Sequence, residues 1–237
     1  PIAIQQIEVF KGPTSVLYGS MPPGGMVNII AKSPQQKQQT SVGLATGSRN
    51  LMEVSIDTAG QIAQSDFSYR LVALARKQDS QVDGAQEERY VIAPSLDWQA
   101  SDRTLINVNL YYQKDPAMGI NSSAPLEVIK SQSPSTSLGD EDWSKFERDV
   151  LMIGYKINHE FNDTWSLLQN ARYMDASLYQ ENTYHRGTSF NPVTGSLARN
   201  IYTTDESSKS FVIDNQVSGQ MTAGDWQHNL LLGADYQ

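Results

Sequence analysis

A chain of 237 residues with no cysteine and a net charge of −8 holds no disulfide and no thiolate metal site, and presents no basic face for a nucleic-acid partner. Mean hydropathy is −0.45, and no stretch approaches the roughly 18 apolar residues of a spanning helix. That excludes a helical membrane protein but not a membrane barrel, whose strands alternate and average out polar.

The first unit covers residues 1–34. Ile7, Val9 and Phe10 give an apolar run. Gly12-Pro13 stops it, because proline fixes φ and lacks an N–H while glycine permits positive φ. Thr14 or Ser15 is placed to cap a short helical turn carrying Val16, Leu17 and Tyr18, and Gly19 ends that turn. After Pro22-Pro23-Gly24-Gly25, a second apolar run from Met26 to Ile30 carries one polar residue, Asn28. The unit reads as strand, turn, short helix, glycine loop, strand. The polar stretch 35–39, Gln-Gln-Lys-Gln-Gln, reads as a linker.

From Thr40 the period becomes 2 and stays so. Val42 and Leu44 alternate with small or polar residues, and Val54 and Ile56 do the same after a turn at 47–50. A break at 60–66 precedes a strand over 67–76. That strand is ambiguous, since Val72 and Leu74 are as apolar as Tyr69, Leu71 and Ala73 across from them. Tyr90, Ile92, Pro94, Leu96 and Trp98 then share one face, followed by Ile106, Val108, Leu110 and Tyr112, by Leu151, Ile153, Tyr155 and Ile157, by a long strand over 165–183, by Phe211, Ile213 and Val217, and by Leu230, Leu232, Ala234 and Tyr236. The spacing predicts short turns at 99–103, 161–164 and 222–225, and long loops at 78–88, 114–147 and 184–208. The chain opens on Pro1 and stops inside an apolar alternating run, so it is expected to be a fragment.

Short connections at one end and long ones at the other are the habit of an up-and-down membrane barrel. Aromatics cluster near strand ends (Tyr90, Trp98, Tyr112, Phe161, Trp165, Trp226, Tyr236), as in the girdles that flank a lipid-facing band. The opposite face carries Asn, Gln, Asp, Lys and Arg, which a dry core would not hold unpaired. The pattern predicts an all-β chain, a partial transmembrane antiparallel barrel. A soluble β-sandwich with a polar outer face is the competing reading, but sandwich strands are usually about 5–6 residues long.

The opening block, Ile7-Glu8-Val9-Phe10-Lys11-Gly12-Pro13-Thr14-Ser15-Val16-Leu17-Tyr18-Gly19 with Pro23-Gly24-Gly25-Met26-Val27-Asn28-Ile29-Ile30-Ala31-Lys32, resembles the last part of the plug domain of TonB-dependent outer-membrane receptors. Within that family the resemblance is to ferric-siderophore receptors of the ferrichrome or hydroxamate kind. It continues through Glu88-Arg89-Tyr90-Val91-Ile92-Ala93-Pro94, Phe161-Asn162-Asp163-Thr164-Trp165 and Gln169-Asn170-Ala171-Arg172-Tyr173. The family fold is a plugged barrel of roughly 22 strands. The resemblance therefore implies the C-terminal part of an α+β plug domain over 1–34, a linker over 35–39, and the first part of the barrel, about nine strands, over 40–237. It implies a location in the bacterial cell outer membrane, outer-membrane lipid around the barrel, and import of a ferric siderophore driven by the TonB energy-transducing complex. A passive porin-like or structural barrel is the alternative, and the plug block argues against it. Iron would travel only as its chelate, so no cofactor is implied.

For the site, the resemblance places aromatics of the ligand vestibule near Tyr184 and Arg186 and near the segment around Asn121. Tyr184 keeps the aromatic character; Arg186 and Asn121 replace it. Gly12, Pro13, Tyr18, Gly19, Gly24, Gly25 and Asn28 are structural members of the plug motif. The glycine loop lacks the Gly-Lys-Ser/Thr ending of a phosphate loop and precedes a strand. His159, His185 and His228 are too scattered for a metal site. No spacing argues for a catalytic triad, so no catalytic residue and no enzyme activity is expected.

Overall fold

A computed structural model describes residues 2–13, 23–119 and 125–237, with backbone alone at 129 and 187–189. Two antiparallel sheets account for the strands. β1 (Ile4–Lys11) and β2 (Gly25–Ala31) form a two-stranded sheet. The second sheet has nine strands in sequence order: β3 (Gln39–Gly47), β4 (Leu51–Gln61), β5 (Phe67–Asp79), β6 (Gln86–Ser101), β7 (Thr104–Ala117), β8 (Lys145–Glu160), β9 (Trp165–Asn191), β10 (Ser196–Ala223) and β11 (Trp226–Tyr236). One short helix, α1 (Leu126–Ser131), lies between β7 and β8. Each strand pairs with its chain neighbour, so β3 and β11 are the sheet's edges.

The register puts the apolar residues of successive strands opposite one another. Val54 faces Ala75, Ala75 faces Tyr90, and Ile92 faces Tyr112. Tyr112 in turn faces Leu151, and Ile153 faces Tyr173. A slip of one residue in any pair would turn a whole apolar row to the other side. This apolar face is open: Tyr90, Ile92, Trp98, Val108, Ile153 and Phe211 are each more than 40% exposed. It is bounded at the 62–66, 102–103, 161–164 and 224–225 turns by Phe67, stacked on Trp98 at 5.8 Å, and by Phe161, Trp165 and Trp226. Tyr90 and Tyr112 bound its other end. An apolar surface this continuous marks contact with another apolar phase, and with strands 11–28 residues long from β4 onward it fits a lipid-facing wall.

The opposite face explains the ambiguity of β5. Val72 and Val91 point to the polar side and are 2% and 6% exposed. With Leu74 they put apolar residues on the face that also carries Asp57, Arg70 and Arg76, so β5 is apolar on both sides.

The predicted long loops are shorter than expected because the strands run on. The segment expected as a loop over 184–208 is the upper half of a β9–β10 hairpin, closed by a turn at 192–195. Residues 114–117 and 145–147, also expected within a loop, belong to β7 and β8. Beyond the aromatic boundary both faces of these strands meet water, so the apolar alternation that betrays a strand disappears while the ladder continues.

Candidate functional site

The upper rim is built on one carboxylate. Asp115, near the end of β7, is 0% exposed. Its Oδ1 accepts from Arg89 Nε at 2.7 Å, and its Oδ2 accepts from Arg89 Nη2, Arg148 Nε, Arg148 Nη2 (2.6 Å) and Gln113 Nε2. Arg89 comes from β6 and Arg148 from β8, so the cluster ties three strands on the polar face at the root of the 118–144 segment. It lies three residues past Tyr112, outside the aromatic boundary. Burial pushes the Asp115 carboxyl up. The hydrogen bonds from Arg89, Arg148 and Gln113 outweigh burial and hold it below the usual carboxylate range. No sequence pattern marked this cluster, because Asp115 and the two arginines are distant in the chain and meet only through strand register.

Tyr184 and Arg186 lie two residues apart on β9, on the same side of the strand. They sit in the hairpin, not in an irregular loop, because the ladder continues from Trp165 through His185 without a break. Tyr184 is 43% exposed and meets Tyr202 of β10 edge to face, with centroids 5.6 Å apart. Sequence reasoning missed Tyr202, whose signal was only its aromatic type in a segment read as a loop. Arg199 Nη1 donates to Leu138 O and Gly139 O, and Thr183 Oγ1 donates to Leu138 O. These bonds fasten the 118–144 segment to the hairpin. Asn121 lies outside the described residues. Among the described residues no group of three or more His, Asp and Glu side chains converges on a metal position, and no helix is long and apolar enough to cross a membrane.

The opening block is held by backbone needs. Gly12 has φ +93° and donates its N–H to Gly24 O at 3.3 Å, and Pro13 follows it. Gly25 has φ +123°, and a Cβ there would collide with the carbonyl oxygen of Phe10. Both positions require glycine. Asn28 sits opposite Glu8 and donates to its Oε2 at 2.9 Å, which explains a polar residue inside an apolar run. Tyr18 and Gly19 lie outside the described residues.

After β2 the chain crosses to the large sheet along a second, partly exposed carboxylate. Lys32 Nζ reaches Asp57 Oδ2 at 2.7 Å. Arg70 grips the same carboxylate through Nε and Nη2, both at 2.8 Å, and donates from Nη1 to Ser33 O. Arg70 is 6% exposed. Pro34 is buried. Gln36 O accepts from Gln61 N, and Gln38 Nε2 donates to Gln61 O. Residues 32–38 are thereby laid against the ends of β4 and β5.

With this geometry in hand, comparison with known proteins is informative. No protein-family model matches the chain. It is 30% identical, over its whole length, to the ferrichrome outer membrane transporter/phage receptor of Escherichia coli K12, covering 34% of that protein. It is 33% identical over its whole length to the ferrioxamine B receptor of Salmonella typhimurium SL1344, again covering 34%. Among solved structures, the Pseudomonas aeruginosa receptor FpvA bound to a heterologous pyoverdine superposes with a TM-score of 0.88 at 23% identity, over 99% of this chain and 32% of that one. The chain thus spans about a third of the length of the curated relatives it matches. These relatives are receptors and transporters rather than enzymes, and the first is a protein of the outer membrane. The apolar face of the nine-stranded sheet is accordingly its lipid face, and the face carrying Asp57 and Asp115 is its lumenal one. Over its whole length the chain is similar to the ferrichrome and ferrioxamine B receptors, and its fold matches that of a solved pyoverdine receptor.

Proposed function

We propose that the full-length protein imports ferric siderophores across the outer membrane, driven by the TonB energy-transducing complex acting on the plug. The observation that carries the reading is the similarity, over the whole of this chain, to ferrichrome and ferrioxamine receptors, in a chain where a separate two-stranded sheet precedes a barrel wall. A passive pore has no use for that first sheet or for the bonds that attach it. The iron enters inside its chelate, so no protein side chain need ligate it and no cofactor is needed. Outer-membrane lipid surrounds the apolar face, and nucleic acid is not a partner.

In this reading the chelate meets the lumenal side of the rim. Tyr184 and Arg186 offer it an aromatic edge and a cation, and Asn121 offers an amide from the segment between β7 and β8. The residues Gly12, Pro13, Tyr18, Gly19, Gly24, Gly25 and Asn28 shape the plug and do not touch the ligand. The domain division follows: plug over 1–34, linker over 35–39, barrel over 40–237. The deciding measurement is growth on single ferric chelates with the gene intact and deleted. Deletion is expected to abolish growth on at least one chelate, and that growth is expected to fall in a Tyr184→Ala strain. If deletion changes growth on none while the intact gene is shown to be expressed, the import reading is lost.

A further inference from the structure

The two sheets are attached very unevenly. β1 and β2 pair only with each other, and Ile7, Val9, Val27 and Ile29 are each 58–62% exposed. Residues 32–38, by contrast, are fastened to β4 and β5 at four positions. Lys32 is bound by Asp57, Ser33 by Arg70, and Gln36 and Gln38 by Gln61. Gln38 also lies over Gly60, where a Cβ would collide with its side-chain amide. The strongest of these bonds cluster at one point. Arg70 and Lys32 share the Asp57 carboxylate, and charge-assisted bonds of this kind are about twice as strong as neutral ones. The Arg70–Asp57 half is entirely within the barrel wall, so it exists whether or not the linker is bound. It forms a preset socket into which Lys32 fits.

We propose that residues 32–38 are a fixed anchor and that Lys32 in its socket is the stop. Force applied to the plug displaces the chain up to Ala31, and the chain beyond remains on the barrel wall. The plug then pivots about Lys32 and cannot be drawn out through its own linker. This rests on reading the chain as a plug joined to a barrel transporter, but it does not depend on which ligand that transporter takes.

The test is single-molecule pulling on the N-terminus of the full-length protein in a lipid bilayer. The wild type is expected to extend as far as Ala31 and then show a separate rupture at higher force. That rupture releases seven residues, about 24 Å of extended chain. Lys32→Gln leaves Asp57 and Arg70 paired, so barrel folding is not at stake, and it is expected to remove the separate rupture. A wild-type trace that runs past Gln38 at the same force as the rest of the plug would overturn the anchor. A second arm uses the double variant Gln38→Cys with Gly60→Cys, in which replacing Gln38 clears the space a side chain at 60 needs. Oxidised, it is expected to keep ferric-chelate uptake within two-fold of the reduced form. A ten-fold loss restored by reductant would mean that the linker has to leave the wall, and the proposal fails. A normal two-step pulling trace in a protein that takes up no ferric chelate would leave the anchor standing and overturn the siderophore reading instead.

Discussion

Asp57 and Asp115 are the same device put to different uses. Each is a carboxylate on the lumenal face with two cations on it. Around Asp115 all the partners, Arg89, Arg148 and Gln113, belong to the barrel wall. Around Asp57 one cation, Arg70, belongs to the wall and the other, Lys32, arrives from the chain just past β2. The exposures follow this split: Asp115 is sealed at 0%, while the Asp57 side chain is 16% exposed and that of Lys32 22%. An arginine fork holds two oxygens at fixed geometry, whereas a lysine presents one mobile point charge. The first cluster is a rivet between strands; the second is a joint between two parts of the chain. Buried ion pairs add little net stability over apolar packing, but removing one partner is costly. The two clusters should therefore respond very differently to single substitutions.

The largest effect is expected for Asp115→Ala. It leaves two guanidinium groups without their carboxylate and should destabilise the full-length barrel by about 3–5 kcal/mol, read as a shift in denaturant unfolding. A loss below about 1 kcal/mol would mean the three strands are held by their ladders alone. Asp57→Asn is expected to cost less, about 2–3 kcal/mol by the same reasoning, because water already reaches its carboxylate. It should also loosen residues 32–38, so that protease cleaves within them faster than in the wild type. Next comes Tyr202→Ala, which removes the ring against Tyr184 and should cost about 0.5–1.5 kcal/mol. Its informative readout is chelate affinity, which should weaken if Tyr184 is held in place by that ring. The smallest effect on barrel unfolding is expected for Lys32→Gln, below about 1 kcal/mol; if it matched Asp57→Asn, the distinction between joint and rivet would disappear. Acid sharpens the contrast. The native Asp115 carboxyl titrates below its unfolded value of about 3.9, so its contribution is fully present above that pH and is lost only as pH falls through the lowered native value. Thermal melts of the Asp115→Asn variant and the wild type should therefore stay a constant interval apart from pH 7 to 5.

How much of this was legible in the sequence depended on the solvent on each side of a strand. Within the lipid band one face must be apolar, so Tyr90 to Trp98 and Ile106 to Tyr112 announce their strands and even their register. Above the band neither face need be apolar. Tyr184 to Asn191 and the first half of β10 therefore read as a loop, although Asn200 and Tyr184, or Arg199 and His185, are paired as regularly as any residues below. The opening block was legible for another reason: Gly12 and Gly25 adopt backbone conformations that other residues rarely reach. Tyr184 and Arg186 came from resemblance, and the structure adds Tyr202 as the ring against Tyr184. The two carboxylate clusters were invisible because Asp57 and Arg70, or Asp115 and Arg148, are polar residues in polar surroundings until the strands align.

The height of the β9–β10 pair has a consequence for how this protein meets the outside. From Leu178 to the turn at 192–195, β9 runs roughly 45 Å along its own axis, more than the roughly 30 Å of hydrocarbon beneath it. The β9–β10 hairpin therefore stands clear of β8, whose pairing with β9 ends at Glu181, and is tipped by Val193 at 91% exposure.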